Sequence, residues 1–194
     1  LTVSEFGKKP LPLRISEKIH FQMLKSLHGA LFSFESKAAP FFIRLCGWLD
    51  GRPGGKQIVH QFESFIKKLL LGCEQCGDCG IQHVAFLCPE SQCPKHTRNG
   101  ACGGSRDGSC EIFPERQCVW VRAYRRLAFS GESEQMIVGC VPPRMWELNR
   151  TPSWINFHLK RDHQSLSTGL LKFCESSECS LAKGFSGQSQ GTGK

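Results

Sequence analysis

The chain has 194 residues, a formal net charge of +8 and 40% hydrophobic residues, with 20 Gly, 10 Pro and 12 Cys. That length holds one domain or a domain with an appendage, and that composition allows only a small apolar core, so something besides apolar burial must hold part of the fold. No run approaches the 18 or so apolar residues of a membrane span, and residues 1–20 contain no apolar leader. The basic residues are scattered and there is a single Tyr, which counts against nucleic-acid binding.

Residues 1–14 read as an extended arm, because Pro10 and Pro12 oppose helix. From Ser16, apolar residues (Ile19, Met23, Leu24, Leu27, Ala30, Leu31) recur at three- and four-residue spacing and predict a helix. A second helix is expected after Ala39, with Pro40 at its start. "DGRPGG" at 50–55 is a turn. Ile58, Val59, Phe62, Phe65, Ile66, Leu69 and Leu70 predict a third amphipathic helix, ended by Gly72. Cys46, alone on an apolar segment, reads as a small buried hydrophobe. Residues 73–118 read as loops, with a helical turn near 82–87. Residues 119–129 read as a helix with Val119, Ala123 and Leu127 on one face, beside Trp120 and Tyr124. A last helix is expected from Ser153, as its cap, to about Asp162. The Gly/Ser/Gln-rich end reads as disordered. The expected organisation is an N-terminal helical arm or linker region (1–72), a Cys-rich metal-binding domain (73–165) and a flexible tail (166–194). The expected fold class is a small α-rich, loop-rich, metal-stabilised domain: N-terminal helices, an irregular Cys-rich body, then one or two C-terminal helices.

Eight of the 12 cysteines fall between Cys73 and Cys118, spaced C-x2-C-x2-C-x8-C-x4-C-x8-C-x7-C-x7-C. They are Cys73, Cys76, Cys79, Cys88, Cys93, Cys102, Cys110 and Cys118, the candidate metal ligands. Without an export leader the expected compartment is the cytoplasm, where clustered thiols stay reduced and serve metals rather than disulfides. Cys73, Cys76 and Cys79 form a C-x-x-C-x-x-C run, and Cys88 and Cys93 each precede a proline. Three cysteines at that spacing plus a Cys-Pro are a pattern of [4Fe–4S] ferredoxins. Zinc is the alternative; it prefers four ligands as two separated knuckles and leaves one thiol of this run spare. Eight thiols suffice for one or two [4Fe–4S] clusters, for two zinc sites, or for one of each. Spacing alone does not say which cysteines share a centre. His83 and His96 lie within the region as neighbours rather than ligands.

Around these thiols, Gly100, Gly103, Gly104 and Gly108 allow tight turns. Lys95, Arg98 and Arg106 either tune an anionic cluster or are ordinary solvated charges. Trp120, Tyr124, Trp154 and Phe157 read as a small core under the metal loops, with a partner interface as the alternative. Arg161, Asp162 and His163 read as a helix-end charge cluster with Asp162 paired locally, with a polar site as the alternative. A thiol oxidoreductase built on Cys73 and Cys76 would need a thioredoxin-like βαβ setting, which the sequence lacks.

"CGDC", "LCPESQCPK", "RNGACGG", "DGSCEI" and "CVWVRAYRRL" together resemble the C-terminal domain associated with methylenetetrahydrofolate reductases. "PSWINFHLKRDH" at 152–163 resembles a further segment of that family, and the likeness spans about half the chain, with gaps. Ala101 departs from it, standing where Pro is expected. In this family the domain is a separate small subunit in acetogens or a fusion behind the reductase barrel elsewhere, and this chain reads as the tail of a fused form or an orphan relative. The resemblance implies an iron–sulfur component, with zinc also known in such enzymes, that relays electrons to a flavin-bearing barrel partner or stabilises it in one-carbon metabolism. Flavin and folate are expected only in that partner, because the chain shows no alternating strand–helix pattern and no dinucleotide fingerprint. The competing readings are a purely structural zinc-binding interaction module and, further off, a nucleic-acid-binding zinc protein.

Overall fold

The computed structural model describes residues 14–134, 136 and 143–165. Most of the expected N-terminal arm and the whole expected tail lie outside the described residues.

Three helices come first. α1 (Ile15–Phe32) carries Glu17 in its first turn, favourable to the helix dipole. α2 (Ala39–Asp50) has Pro40 in its first turn, where the missing N–H breaks no helical bond. α3 (Gly55–Leu71) ends on Gly72 in the left-handed region, φ 64°. The Gly72 N–H bonds the Lys68 carbonyl and the Cys73 N–H the Lys67 carbonyl, so the helix end fixes the start of the cysteine loop. A 3-10 turn (Ile81–Val84) and the one-turn helix α4 (Pro89–Gln92) follow. Strands β1 (Ser105–Arg106) and β2 (Ser109–Cys110) pair antiparallel, and are the sole sheet among the described residues. The remaining elements among the described residues are α5 (Val119–Ser130), a 3-10 turn (Trp146–Leu148) and α6 (Ser153–His158).

The core is a clamp. Phe21 of α1 and Val119, Trp120, Ala123 and Leu127 of α5 close on Val84, Ala85 and Leu87, with Cys93 at the edge. Each buried Val, Leu or Phe side chain among them contributes about 1.5–3 kcal/mol. Leu24, Leu71 and Cys88 form a second, smaller cluster beside it. Glu17 of α1 pairs with Arg122 at 3.1 Å and Arg126 at 3.4 Å on α5, so the clamp is pinned by charge as well. Trp120 and Phe157 are buried and Cys46 is a buried thiol, which bears out the core readings of these residues.

Two expectations about the last helix are corrected. α6 stops at His158, because Lys160 turns into the left-handed region at φ 53° and the Arg161 N–H reaches back to the Asn156 carbonyl. Its cap is not Ser153, which is the first helical residue. The Glu63 carboxylate, from α3, accepts the N–H groups of Ser153 at 3.2 Å and Trp154 at 3.1 Å. A carboxylate there satisfies orphan donors and favours the dipole, as a cap would.

α3 is therefore turned against its hydrophobic pattern. It buries Glu63 and Lys67 together with Leu71, and exposes Ile58, Phe62, Phe65 and Leu69. α1 likewise exposes Ile15, Ile19, Met23 and Leu27 while burying Phe21 and Leu24. No helix among the described residues is long and apolar enough to cross a membrane.

Candidate metal centres

The eight clustered cysteines divide between two cavities. Cys73, Cys76, Cys79 and Cys88 line the first, an open space of about 350 Å³, with Lys67, Asp78 and Arg98 in its wall. Cys93, Cys102, Cys110 and Cys118 line the second, about 430 Å³, with Lys95, Glu111 and Trp120. None of the eight is in a disulfide. Among the described residues, no three cysteine sulfurs lie within 4.8 Å of one another.

The first group is built on a tight loop held from outside. Gly77 has φ 72°, and a Cβ there would lie 1.7 Å from the Leu148 carbonyl oxygen, so only glycine fits. The Asn156 amide donates to the Gly77 carbonyl at 2.8 Å and the Arg150 N–H to the Gln75 carbonyl at 3.0 Å. The Gln75 N–H points at the Cys73 sulfur at 3.3 Å. Cys88 stands at the N-terminal end of α4 with Pro89 in its first turn. Burial pushes the thiols up: Cys73 to about 11 and Cys76 to about 12, the latter also repelled by Cys79, Cys88 and Cys73. Cys88 is raised by burial too, opposed by Ser91 facing its sulfur. Assembled thiolates therefore repel one another here, and a bound cation or cluster relieves that repulsion while displacing protons.

Asp78, between Cys76 and Cys79, is the hub of this loop. It is fully buried, and its carboxylate accepts from Arg98 at 3.2 Å, from the His163 ring at 2.5 Å, and from the backbone N–H groups of Met145 at 3.0 Å and His163 at 3.1 Å. Burial alone would raise its pKa; the His163 hydrogen bond, the Met145 N–H and Arg98 outweigh that and hold it at about 2. His163 Nδ1 also lies 3.2 Å from the Arg98 guanidinium, and its Nε2 lies 3.0 Å from the His83 Nε2, so the two rings are joined to the Asp78–Arg98 pair. Asp162 is buried beside this pair, with one oxygen within 4.8 Å of the Asp78 and His163 atoms. Arg98 supplies the cation for Asp78, whereas burial pushes the Asp162 carboxyl up. In the 161–163 segment Asp162 is paired locally as read, accepting the Gln164 N–H at 3.2 Å, but Arg161 and His163 leave the expected helix-end cluster. Arg161 forks onto Asp50 at 2.9 and 2.8 Å, and His163 enters the buried network.

The second group sits on lighter supports. Cys93 follows α4, and its sulfur contacts the Thr97 hydroxyl at 3.2 Å. Trp120 donates its indole N–H to the Thr97 carbonyl at 3.1 Å. Cys102 is exposed on the Gly-rich loop. Cys110 lies on β2 behind the Asp107–Gly108 turn, and its N–H bonds the Arg116 carbonyl at 2.9 Å. Cys118 begins α5, its N–H on the Gly108 carbonyl at 2.9 Å. Lys95 pairs with Glu111 across the cavity. Of the three loop cations, Arg98 is therefore a buried partner of Asp78, whereas Lys95 is a half-exposed one of Glu111.

His83 is half-buried against His163, and His96 donates its Nδ1–H to the Glu90 carbonyl at 2.7 Å; neither lines a cysteine cavity. Sequence reasoning missed Glu63, Lys67 and Asp78 as site-building residues, and named His163 only within the alternative of a polar site at 161–163. "CGDC" carried one signal, an acid placed between two candidate ligands. The others have partners 80 or more residues away, out of reach of any local pattern.

Residues 53–147 match the protein-family model described as "Methylene-tetrahydrofolate reductase C terminal". The matched stretch contains all eight clustered cysteines with Lys67 and Asp78. It begins inside the N-terminal helices, twenty residues before Cys73, and stops short of residues 152–163. No curated protein and no solved structure matches the chain.

Proposed function

Residues 53–147 belong to the methylene-tetrahydrofolate reductase C-terminal family, and on that premise we propose that the chain is the metal-carrying accessory component of a methylenetetrahydrofolate reductase-type flavoenzyme. Cys73, Cys76, Cys79 and Cys88 would hold one centre, and Cys93, Cys102, Cys110 and Cys118 a second. The observation that carries this reading is the division of eight thiols into two cavities of four. Four thiolates are the donor set of a [4Fe–4S] cluster or of zinc. A tetrahedral zinc with Zn–S near 2.3 Å draws its sulfurs to about 3.8 Å of each other. The C-x-x-C-x-x-C run, which leaves one thiol spare for a zinc knuckle, favours the cluster.

Bound clusters would supply one-electron transfer. The chain's own residues hold the thiols, keep Cys76 and Cys88 out of water and brace the loop through Asp78. Cys88 and Cys93 flank the one-turn helix α4, so the two centres would be neighbours, as passing electrons between them requires. The flavin and the folate belong to the partner. Exposed apolar rows on α1 and α3 favour docking on that catalytic component, and a reducing compartment such as the cytoplasm would keep the thiols available.

Anaerobic purification followed by iron, acid-labile sulfide and zinc analysis tests the reading. A brown chain whose visible absorption bleaches with dithionite, with iron and sulfide in equal amounts, is the expected result. A colourless chain with two zinc ions and no iron would remove the electron-transfer role.

A further inference from the structure

Lys67 is a buried ammonium whose presence packing does not explain. It lies on α3, its side chain about one-tenth exposed, and borders both cavities that open beside Cys73, Cys76 and Cys79. Its Nζ donates to Glu63 Oε1 at 2.8 Å and to the Ser153 hydroxyl at 2.5 Å. An ammonium has three N–H groups, so one remains for the cavity. Glu63 does not need that cation to itself, because the Ser153 N–H, the Ser153 hydroxyl and the Trp154 N–H also donate to its carboxylate. Burial works against the charge on Lys67, but Cys79, Glu63 and Cys73 together push its pKa up. Taking a charge out of water costs several kcal/mol unless it is paired, and a Met would fill the same space at no such cost. The second cavity has no counterpart: Lys95 has a side chain 39% exposed, is paired with Glu111, and is open to solvent screening.

We propose that Lys67 is the counter-cation of the Cys73/Cys76/Cys79/Cys88 centre, raising that centre's reduction potential above the value its four thiolates alone would give. The inference rests on the cluster reading above. A buried positive charge favours whichever redox state carries the extra electron, here delivered by dithionite. The same charge beside an exposed site would be largely screened.

The experiment uses the full chain, reconstituted with iron and sulfide, as wild type, Lys67→Met, Lys67→Arg and Lys95→Met. Iron content and EPR-monitored midpoint potentials are the readouts. In Lys67→Met, one of two centres should move to a more negative potential by at least a tenfold change in its redox equilibrium, 59 mV for one electron. Lys67→Arg should restore the wild-type value and Lys95→Met should leave both centres in place. If Lys67→Met fails to load one centre, Lys67→Arg loading it at the wild-type potential supports the proposal equally. Unchanged potentials in a fully loaded Lys67→Met overturn it, as does equal loss of the centre in Met and Arg variants. A wild-type chain that takes up zinc and no iron strikes the cluster reading first and this inference with it.

Discussion

The two cysteine groups lie side by side in sequence and share α4, yet they are built by different means. The first is a loop fixed by buried charge: Asp78 gathers Arg98, His163 and two backbone N–H groups, and Lys67 and Glu63 stand behind it. The second is a Gly-rich hairpin with an exposed Cys102 and a half-exposed ion pair. The contrast shows that equal ligand sets can differ in how much of their shape exists before a metal arrives. The first group is preorganised by buried protein contacts, and on the proposed reading the second would rely more on its occupant for order.

Removing one partner from each group should expose that difference most strongly. Asp78→Ala leaves Arg98 and His163 buried without their acceptor and should cost about 3–5 kcal/mol of folding stability. Lys95→Ala removes a half-exposed pair and should cost less than about 1 kcal/mol. Urea denaturation of the two variants measures both, and comparable losses would break the comparison. Glycines give a second pairing. Gly77→Ala must clear the Leu148 carbonyl oxygen at 1.7 Å as well as adopt a strained φ, for about 3–4 kcal/mol. Gly103→Ala, at φ 78° with nothing within 4 Å, should show only the backbone strain, about 1–2 kcal/mol.

Thiol chemistry sharpens the contrast further. In metal-free chain at pH 7.5, Cys102 should alkylate first, being exposed. Cys73 is pushed by burial to about 11 and Cys76 to about 12, so they should carry roughly 100-fold and roughly 1000-fold less thiolate than an ordinary cysteine and react last. Peptide mass spectrometry over a time course reads the order, and a Cys76 that reacts as fast as Cys102 would contradict it. A smaller effect is expected in acid. Burial, with Lys67, holds His28 down to about 4; burial, with His163 and Arg98, does the same for His83. The unfolded chain binds protons at these histidines below about 6.5 and the folded chain only near 4, so stability is full above pH 6.5 and declines as the pH falls toward 4. The slope should be on the order of 1 kcal/mol per pH unit for each histidine. His83→Gln should flatten that slope.

Much of the helical scaffold was legible. Apolar spacing, Pro40 and Gly72 marked α1 to α3, and Val119, Ala123 and Leu127 share the face of α5 that was read for them. Periodicity, however, does not say which face points inward. On α3 the apolar face is the outer one, because Glu63 and Lys67 meet Ser153 across 86 to 90 residues of sequence. Ser153 looked like a cap for the same reason that it is not one: its hydroxyl and N–H are taken by a carboxylate from another helix. The eight cysteines stood out by type and spacing, whereas their division did not, since it follows from Cys88 and Cys93 lying at opposite ends of a single helical turn. The Asp78 network was invisible because its members stand 20, 67 and 85 residues apart and are ordinary charges until the fold buries them.

The central claim is that the eight thiols form two separate centres of four. The most direct measurement is iron and sulfide per chain, after anaerobic reconstitution, in wild type, Cys76→Ser and Cys110→Ser. The account predicts that each variant loses about half of the wild-type content, and that the two halves differ in potential. If either variant kept the full content, or if one substitution emptied the chain while the other left it full, the division into two centres would be contradicted.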